Sequence, residues 1–384
     1  MIYLDNGATS FPKPPEVLDA MFYAMSSYGA NPGRSGHDMA IKMAKGIYDT
    51  RRELAKFLDI ESPQQILFTK NCTEAINLGL KGLLRPGDHV ITTSMEHNSV
   101  IRPLRQMEQD GLEITILDCD RAGRLSTELV RKAIRRNTKL MVVTAASNVT
   151  GTKMPLEELG RITLRYGILF MVDGAQGIGH MPISVRKQHI DLLAAPGHKG
   201  LLGPQGTGFL YVKEGIELAS LLEGGTGSKS LEQLQPHDVP EGYEAGTVNG
   251  PGIIGLGEGT CVLNRIGIEV IESCEGKRTE QLQRGLMEIP GVVLYGPEDC
   301  REKTAVVAMN IRGMDCEEVA LLLNDEFDIA VRAGFHCSGL AHRTIGTETT
   351  GCVRFCPGIY TSEGEIDRTI EAVRQIAAGL QRND

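Results

Sequence analysis

The chain has 384 residues, 41% hydrophobic and 23% charged, a globular balance with room for two domains at roughly 100–200 residues each. Its net charge of −9 argues against nucleic acid or an anionic membrane as partner, since both require a basic face that displaces counterions. No apolar run approaches the ~20 residues of a membrane helix, and Met1-Ile2-Tyr3-Leu4-Asp5 lacks a signal-peptide pattern. Nine scattered cysteines fit a reducing compartment, so a cytoplasmic location is expected.

From about residue 15 to 215, short apolar runs alternate with helical spacing. Strands are expected at 65–69, 89–93, 113–117, 140–144, 168–173, 191–194 and 208–212, with helices at 40–57, 74–84, 126–135 and 156–166. This alternation implies an α/β fold, a mostly parallel sheet sandwiched by helices, whose ligands sit beyond the carboxyl ends of the strands. A Gly-rich stretch from Gly224 to Pro240 reads as a long surface loop. After Gly250-Pro251-Gly252 the rhythm changes. A long helical stretch at 266–287, strands near 292–295 and 305–311, and a helix at 316–324 come first. Strands at 329–332 and 353–355 and a closing helix at 362–380 complete a smaller α+β domain. The expected division is a large domain over 16–250 and a small one made of 1–15 with 251–384.

Glycine clusters raise a nucleotide site and then exclude it. The run from Gly174 to Gly179 has the wrong order for G-x-G-x-x-G, and that from Gly203 to Gly208 lacks the Lys-Ser/Thr of a Walker loop. Neither H-E-x-x-H nor paired C-x-x-C occurs, so no metal site is expected.

The segment Pro196-Gly197-His198-Lys199-Gly200 follows an apolar strand, which places Lys199 at a strand's carboxyl end as a candidate amine nucleophile. Alone, it reads sooner as a solvated loop lysine. Asp173 ends another buried-looking strand, where an acid can bond a protonated heteroaromatic nitrogen; the plain alternative is a helix N-cap. Gln176 stands three residues on, within reach of a ring hydroxyl. Asn71 with Glu74 resembles a capping box, which would leave the N–H groups around Cys72 and Thr73 pointing at an anion. His97 follows the 89–93 strand and could stack on a flat ring and move protons, or simply start a helix. Asn148, at a further strand end, could bond a ring hydroxyl or a carboxylate, or serve a turn.

The last cluster is Arg332-Ala333-Gly334-Phe335-His336-Cys337. A cysteine in a glycine-bracketed loop beside Arg332 and His336 has the cationic company that favours a nucleophilic thiolate. Arg354 lies on an apolar strand and calls for a carboxylate, from a substrate or from the protein; the flanking Cys352 and Cys356 read as core.

In this order, these segments resemble the class V aminotransferase fold family of pyridoxal-5′-phosphate (PLP) enzymes. Within it they are similar to the cysteine desulfurases and selenocysteine lyases of the branch with a short catalytic loop. The resemblance runs from Tyr3-Leu4-Asp5-Asn6-Gly7-Ala8 to the closing helix. Its most specific parts are Arg332-x-Gly334-x-His336-Cys337, Cys352-Val353-Arg354, Gly197-His198-Lys199 and Glu244-Ala245-Gly246-Thr247. It implies the PLP-dependent transferase fold type I and PLP as cofactor. Lys199 would form the Schiff base and shuttle the Cα proton, His97 would stack on the ring, Asp173 would hold the ring nitrogen and Gln176 the phenolic oxygen. Cys72, Thr73 and His198 would hold the phosphate, joined by Thr247 from the neighbouring subunit of a homodimer. Arg354 and Asn148 would grip the substrate carboxylate, and His37 and Arg332 would lie near the mouth.

The implied reaction takes sulfur from L-cysteine, leaving L-alanine and a persulfide on Cys337 for an acceptor protein. A lyase acting on L-selenocysteine with a selenium acceptor, and an aminotransferase without thiol chemistry, are the alternatives within the fold. A non-catalytic scaffold is the alternative outside it. Three positions depart from the family pattern: Pro196 where Ser or Thr is common, Phe335 in place of a histidine, and Val248 in place of a proline.

Overall fold

A computed structural model describes residues 1–33 and 35–380. The chain opens with a short strand β1 (Ile2–Tyr3) and helices α1 (Pro15–Tyr28) and α2 (Asp38–Leu58). Seven strands follow: β2 (Ile66–Thr69), β3 (His89–Thr93), β4 (Glu113–Leu117), β5 (Thr138–Thr144), β6 (Leu169–Asp173), β7 (Leu192–Pro196) and β8 (Gly208–Val212). Helices α3 (Cys72–Leu83), α4 (Asn98–Gln109), α5 (Thr127–Ala133) and α6 (Leu156–Tyr166) connect them.

The strands form one sheet in the order β2-β8-β7-β6-β5-β3-β4. Pairing is parallel from β7 to β4, while β8 runs antiparallel to both β7 and β2. Two reversals restore direction, so β2 points the same way as β7, and the carboxyl ends of β2 to β7 gather on one rim. Side chains alternate between two apolar layers, as period-2 geometry requires. Met141, Val143, Phe170, Val172 and Leu193 face one layer; Leu140, Val142, Met171, Leu192 and Ala194 face the other. Burial on both faces explains the unbroken apolar runs of β6, β7 and β8.

The remainder comprises α7 (Gly250–Ile266), α8 (Ile268–Met287), β9 (Val292–Tyr295), β10 (Val307–Ile311), α9 (Cys316–Phe327), β11 (Ile329–Ala330), α10 (Gly339–Ile345), β12 (Val353–Phe355) and α11 (Glu363–Leu380). A three-stranded antiparallel sheet, β12-β10-β9, carries it. Strand β1 pairs with β11, and Ile2 and Leu4 join its apolar core with Leu282, Val307, Phe355 and Ile366.

Two expectations change here. The single helical stretch at 266–287 is the second of two helices, because Gly267 at φ 90° ends α7 before α8 begins. The change of rhythm at Gly250 is the start of α7, whose Ile253, Leu256, Val262 and Leu263 pack into the large sheet's core rather than into that of the following unit. Its glycines allow the close approach: a Cβ at Gly257 would meet Thr50 on α2, and one at Gly259 would meet the Leu201 carbonyl.

Candidate active site

The rim of the sheet carries a cleft lined by Cys72, Thr73, His97, Asn148, Asp173, Gln176, His198 and Lys199, drawn from the carboxyl ends of β2, β3, β5, β6 and β7 and the turns that follow them. Residues spread over more than a hundred positions meet there because parallel strands deliver their ends to one side. Eight of the expected site residues therefore share one space.

Lys199 follows β7. Loss of solvent, then the nearby Arg354 guanidinium, lowers its pKa below the ordinary lysine value, which favours the free amine a nucleophile needs. Asp173 closes β6 and is buried. Its Oδ1 accepts from the Ala175 backbone at 3.0 Å and from the Cys72 thiol at 3.5 Å, and no described residue engages Oδ2. Burial and then Asp173 push the Cys72 thiol well above its usual range, so it stays protonated as a donor. Gln176 donates to the Gly7 carbonyl at 2.9 Å, which fixes its amide in the cleft.

The N-terminus of α3 forms an anion cradle. Asn71 accepts from the Glu74 backbone at 2.9 Å, as the capping pattern predicts. The return bond differs: Glu74 reaches the Lys70 N–H at 2.6 Å, one residue further out. The N–H groups of Cys72 and Thr73 keep no partner among the described residues, and the positive end of the helix dipole points the same way. His198 adds a buried Nδ1 without a partner among the described residues, and burial followed by Lys199 lowers its pKa to about 4. Neutral donors around an open cradle fit a phosphate.

His97 is the N-cap of α4, so the plain structural reading holds alongside its place in the cleft. Its Nδ1 accepts from the Ser99 N–H at 3.0 Å, which puts the ring proton on Nε2, and burial lowers its pKa.

Cys337 is exposed and does not line the cleft itself, yet its loop is tied to it. Asn148 donates to the His336 carbonyl at 2.6 Å and accepts from the Ser338 hydroxyl at 2.7 Å, bracketing Cys337 on both sides. The Cys337 carbonyl accepts from the Asn98 N–H at 2.9 Å, next to His97. Arg332 Nη2 lies 3.9 Å from the thiol sulfur. The second expected cation drops out: His336 is buried, its pKa falls to about 2 through burial and then Arg354, and it is neutral. Of the two expected cations, Arg332 is the one that remains charged beside Cys337.

Arg354 is 1% exposed. It donates to the Asn148 carbonyl and to Asp5, both at 2.9 Å, while its Nε is buried without a partner among the described residues. Its carboxylate within the protein is therefore Asp5, and Nε is left for a ligand. Thr247 stands apart from the cleft, exposed, with Asn31 at 3.4 Å. The segment before it is anchored by Glu244, which takes two 2.6 Å bonds from Arg51 and one from the Phe68 N–H. His37 caps α2 on the exposed surface, outside the residues that line the cleft.

The N-terminal segment contributes more than sequence reasoning assigned to it. Thr9, Ser10 and Lys13 all donate to the His198 carbonyl, at 3.0, 3.0 and 2.8 Å, and so clamp the turn that carries Lys199. Only the Tyr3–Ala8 part of the family resemblance hinted at this, since contacts across some 190 positions leave no local pattern.

An amine, a buried acid and an anion cradle on the rim of a mostly parallel sheet define an α/β enzyme centred on a lysine. The Aminotransferase class-V family model matches residues 2–369, and the chain belongs to that family. A relative from Methanothermobacter thermautotrophicus, named a probable cysteine desulfurase, is 36% identical over 98% of this chain and 94% of its own. Another of that name from Pyrococcus abyssi is 35% identical over 99% of this chain and 95% of its own. The structure of apo cysteine desulfurase from Thermococcus onnurineus superposes with a TM-score of 0.93 at 35% identity, covering 98% of this chain and 95% of that one. Cysteine desulfurases of this family are PLP-dependent enzymes.

Proposed function

We propose that this chain is a cysteine desulfurase that carries PLP on Lys199 and takes the sulfur of L-cysteine onto Cys337. The observation that carries the reading is the docking of an exposed thiol loop, through Asn148 and Asn98, onto a cleft that holds a lysine of lowered pKa. An aminotransferase would have no use for that thiol.

Bound PLP would supply an electron sink for the substrate's Cα. The chain's own residues do the rest. Cys72, Thr73 and His198 would hold the phosphate, Asp173 the ring nitrogen and Gln176 the phenolic oxygen. His97 would stack on the ring. Arg354 Nε, with the second N–H of the Asn148 amide, binds the substrate carboxylate. The amine of Lys199 moves the Cα proton. The Cys337 thiolate attacks the substrate sulfur; one S–S bond forms as the C–S bond breaks, giving a persulfide on the protein and, after proton return, L-alanine.

The chain acts as a homodimer in this reading, with Thr247 completing a neighbour's phosphate site. Support comes from the exposure of Thr247 and from Leu18, Phe22, Met25 and Ile41, large apolar residues exposed on α1 and α2. An acceptor protein that collects the sulfur, and a cytoplasmic location in keeping with nine free cysteines, complete the proposal.

The test is a single turnover with L-cysteine without reductant. Alanine should appear in an amount equal to enzyme, with the mass of one sulfur added to the peptide bearing Cys337. Alanine without that adduct, or an adduct on another cysteine, would sink the assignment.

A further inference from the structure

Two histidines and a cysteine meet beneath the Cys337 loop. His336 precedes the thiol, His342 lies on α10 and Cys352 leads into β12. All three are buried, and one donor atom from each lies within 4.8 Å of the others. Their unused atoms are informative. His336 Nε2 sits 3.0 Å from the Cys352 carbonyl and 3.5 Å from the Cys352 sulfur, so the sulfur lies against the same ring edge. A carbonyl only accepts, so the ring proton is on Nε2 and Nδ1 is a bare lone pair. His342 Nδ1 is held by Thr347 Oγ1 at 2.7 Å, which leaves its Nε2. Those two nitrogens, His336 Nδ1 and His342 Nε2, are buried with no hydrogen-bond partner among the described residues. Each orphan would cost about 1–3 kcal/mol; with His342 Nδ1 donating to the Thr347 hydroxyl, both are lone pairs, and two lone pairs beside a thiol call for a ligand they can serve.

We propose that His336, His342 and Cys352 form a binding site for a soft monovalent metal ion, Cu(I), which pins the loop carrying Cys337. The donor set selects the ion. Thiolate and imidazole suit Cu(I) and Zn(II) more than hard cations. No carboxylate belongs to the cluster, and Arg354, fully buried, stands two residues beyond Cys352. One thiolate neutralises a monocation, whereas a dication would leave one positive charge buried and uncompensated, since the nearby Asp5 carboxylate is already taken by Arg354. Three donors match trigonal coordination, while structural zinc takes four.

Binding balances as one Cu(I) taken up and one Cys352 thiol proton released, with no change in oxidation state. The donors draw inward to bonds of about 2.0–2.3 Å. Thr347 holds His342 in orientation, the part an outer-shell partner plays. The site lies beyond the desulfurase reading. It acts on the loop one residue from Cys337 and leaves the Lys199 cleft untouched.

The experiment titrates the holoenzyme carrying Cys337→Ser, so that the catalytic thiol does not compete, with Cu(I) against a chelator under anaerobic conditions. Elemental analysis reads the metal whether or not the enzyme turns over, so this result and the desulfurase reading fail separately. One equivalent should be retained. Adding His342→Gln should weaken retention by about 100-fold or more, and Thr347→Val, a milder change, by about 10–100-fold. In the protein with Cys337 intact, Cu(I) should slow alkylation of Cys337, and His342→Gln should remove that slowing. Equal retention with and without His342→Gln or Thr347→Val overturns the site. Tight binding of Zn(II) but not Cu(I) overturns the charge argument, and equal slowing of alkylation in both proteins overturns the clamp.

Discussion

Lys199 and Asp173 hang from the ends of buried strands whose backbone bonds are satisfied by the sheet, whereas Cys337 sits where regular structure has been given up. Gly334, His336 and Cys337 all take positive φ, at 97°, 48° and 59°. Two consecutive non-glycine residues in that region store of order 1–3 kcal/mol each, and the loop stays docked through side-chain bonds to Asn148 and one backbone bond to Asn98. Cofactor chemistry needs fixed geometry, and a thiol that must leave with its sulfur needs a loop that releases. The two regions divide those demands between a sheet rim and a strained turn.

Removing the reacting group from each region breaks this comparison most sharply. Lys199→Ala should cut turnover by about 10³-fold or more and also abolish covalent attachment of the cofactor, read by its absorbance after denaturation. Cys337→Ala should stop desulfuration to a similar extent yet leave attachment intact. If both variants lost the cofactor, the regions would not be independent.

A second effect follows from His336, buried neutral with its pKa depressed to about 2. The unfolded chain takes up this proton near pH 6.5 and the folded chain does not, so the neutral state's stability is complete above that pH and is lost as pH falls. From pH 6.5 to 5 this one group should cost about 2 kcal/mol. Urea midpoints of the wild type and His336→Asn over that range should show the smaller acid loss in the variant; identical slopes would contradict it.

Asn148→Ala sharpens the loop side further. It leaves the His336 carbonyl and the Ser338 hydroxyl without their partner, at about 1 kcal/mol for each bond. Amide exchange over residues 334–340 should quicken and Cys337 should alkylate faster, while the cleft lysine's titration stays put. The smallest effect is expected from Thr247→Ala, about 1 kcal/mol of cofactor affinity from one lost hydrogen bond, seen by dialysis of the dimer. No change would argue that Thr247 faces solvent in the assembly.

The strands of the large sheet were legible because a strand buried on both faces must be a short apolar run between turns, as in β6 and β7. Helix α1 was not, since Leu18, Phe22 and Met25 are exposed and blur the apolar face. Helix α4 carries Pro103 in its interior, and α7 carries glycines that sequence rules assign to turns. Those glycines serve close packing against Thr50 and Leu201, which only the tertiary structure supplies.

In the site, each strand-end residue could be nominated singly, and eight of them line one cleft. What joins them lies beyond local pattern: Asp5 on Arg354, Gly7 on Gln176, and three donors on the His198 carbonyl. His336 was read as a cation from its neighbours in sequence; burial, visible only in the fold, makes it neutral.

The convergence of an amine from the sheet rim on one aromatic aldehyde is tested most directly by borohydride reduction of the holoenzyme followed by peptide mapping. The cofactor mass should be found on the peptide containing Lys199 and on no other. Label on a different lysine, or none on a protein that retains its yellow colour until reduction, would contradict the account.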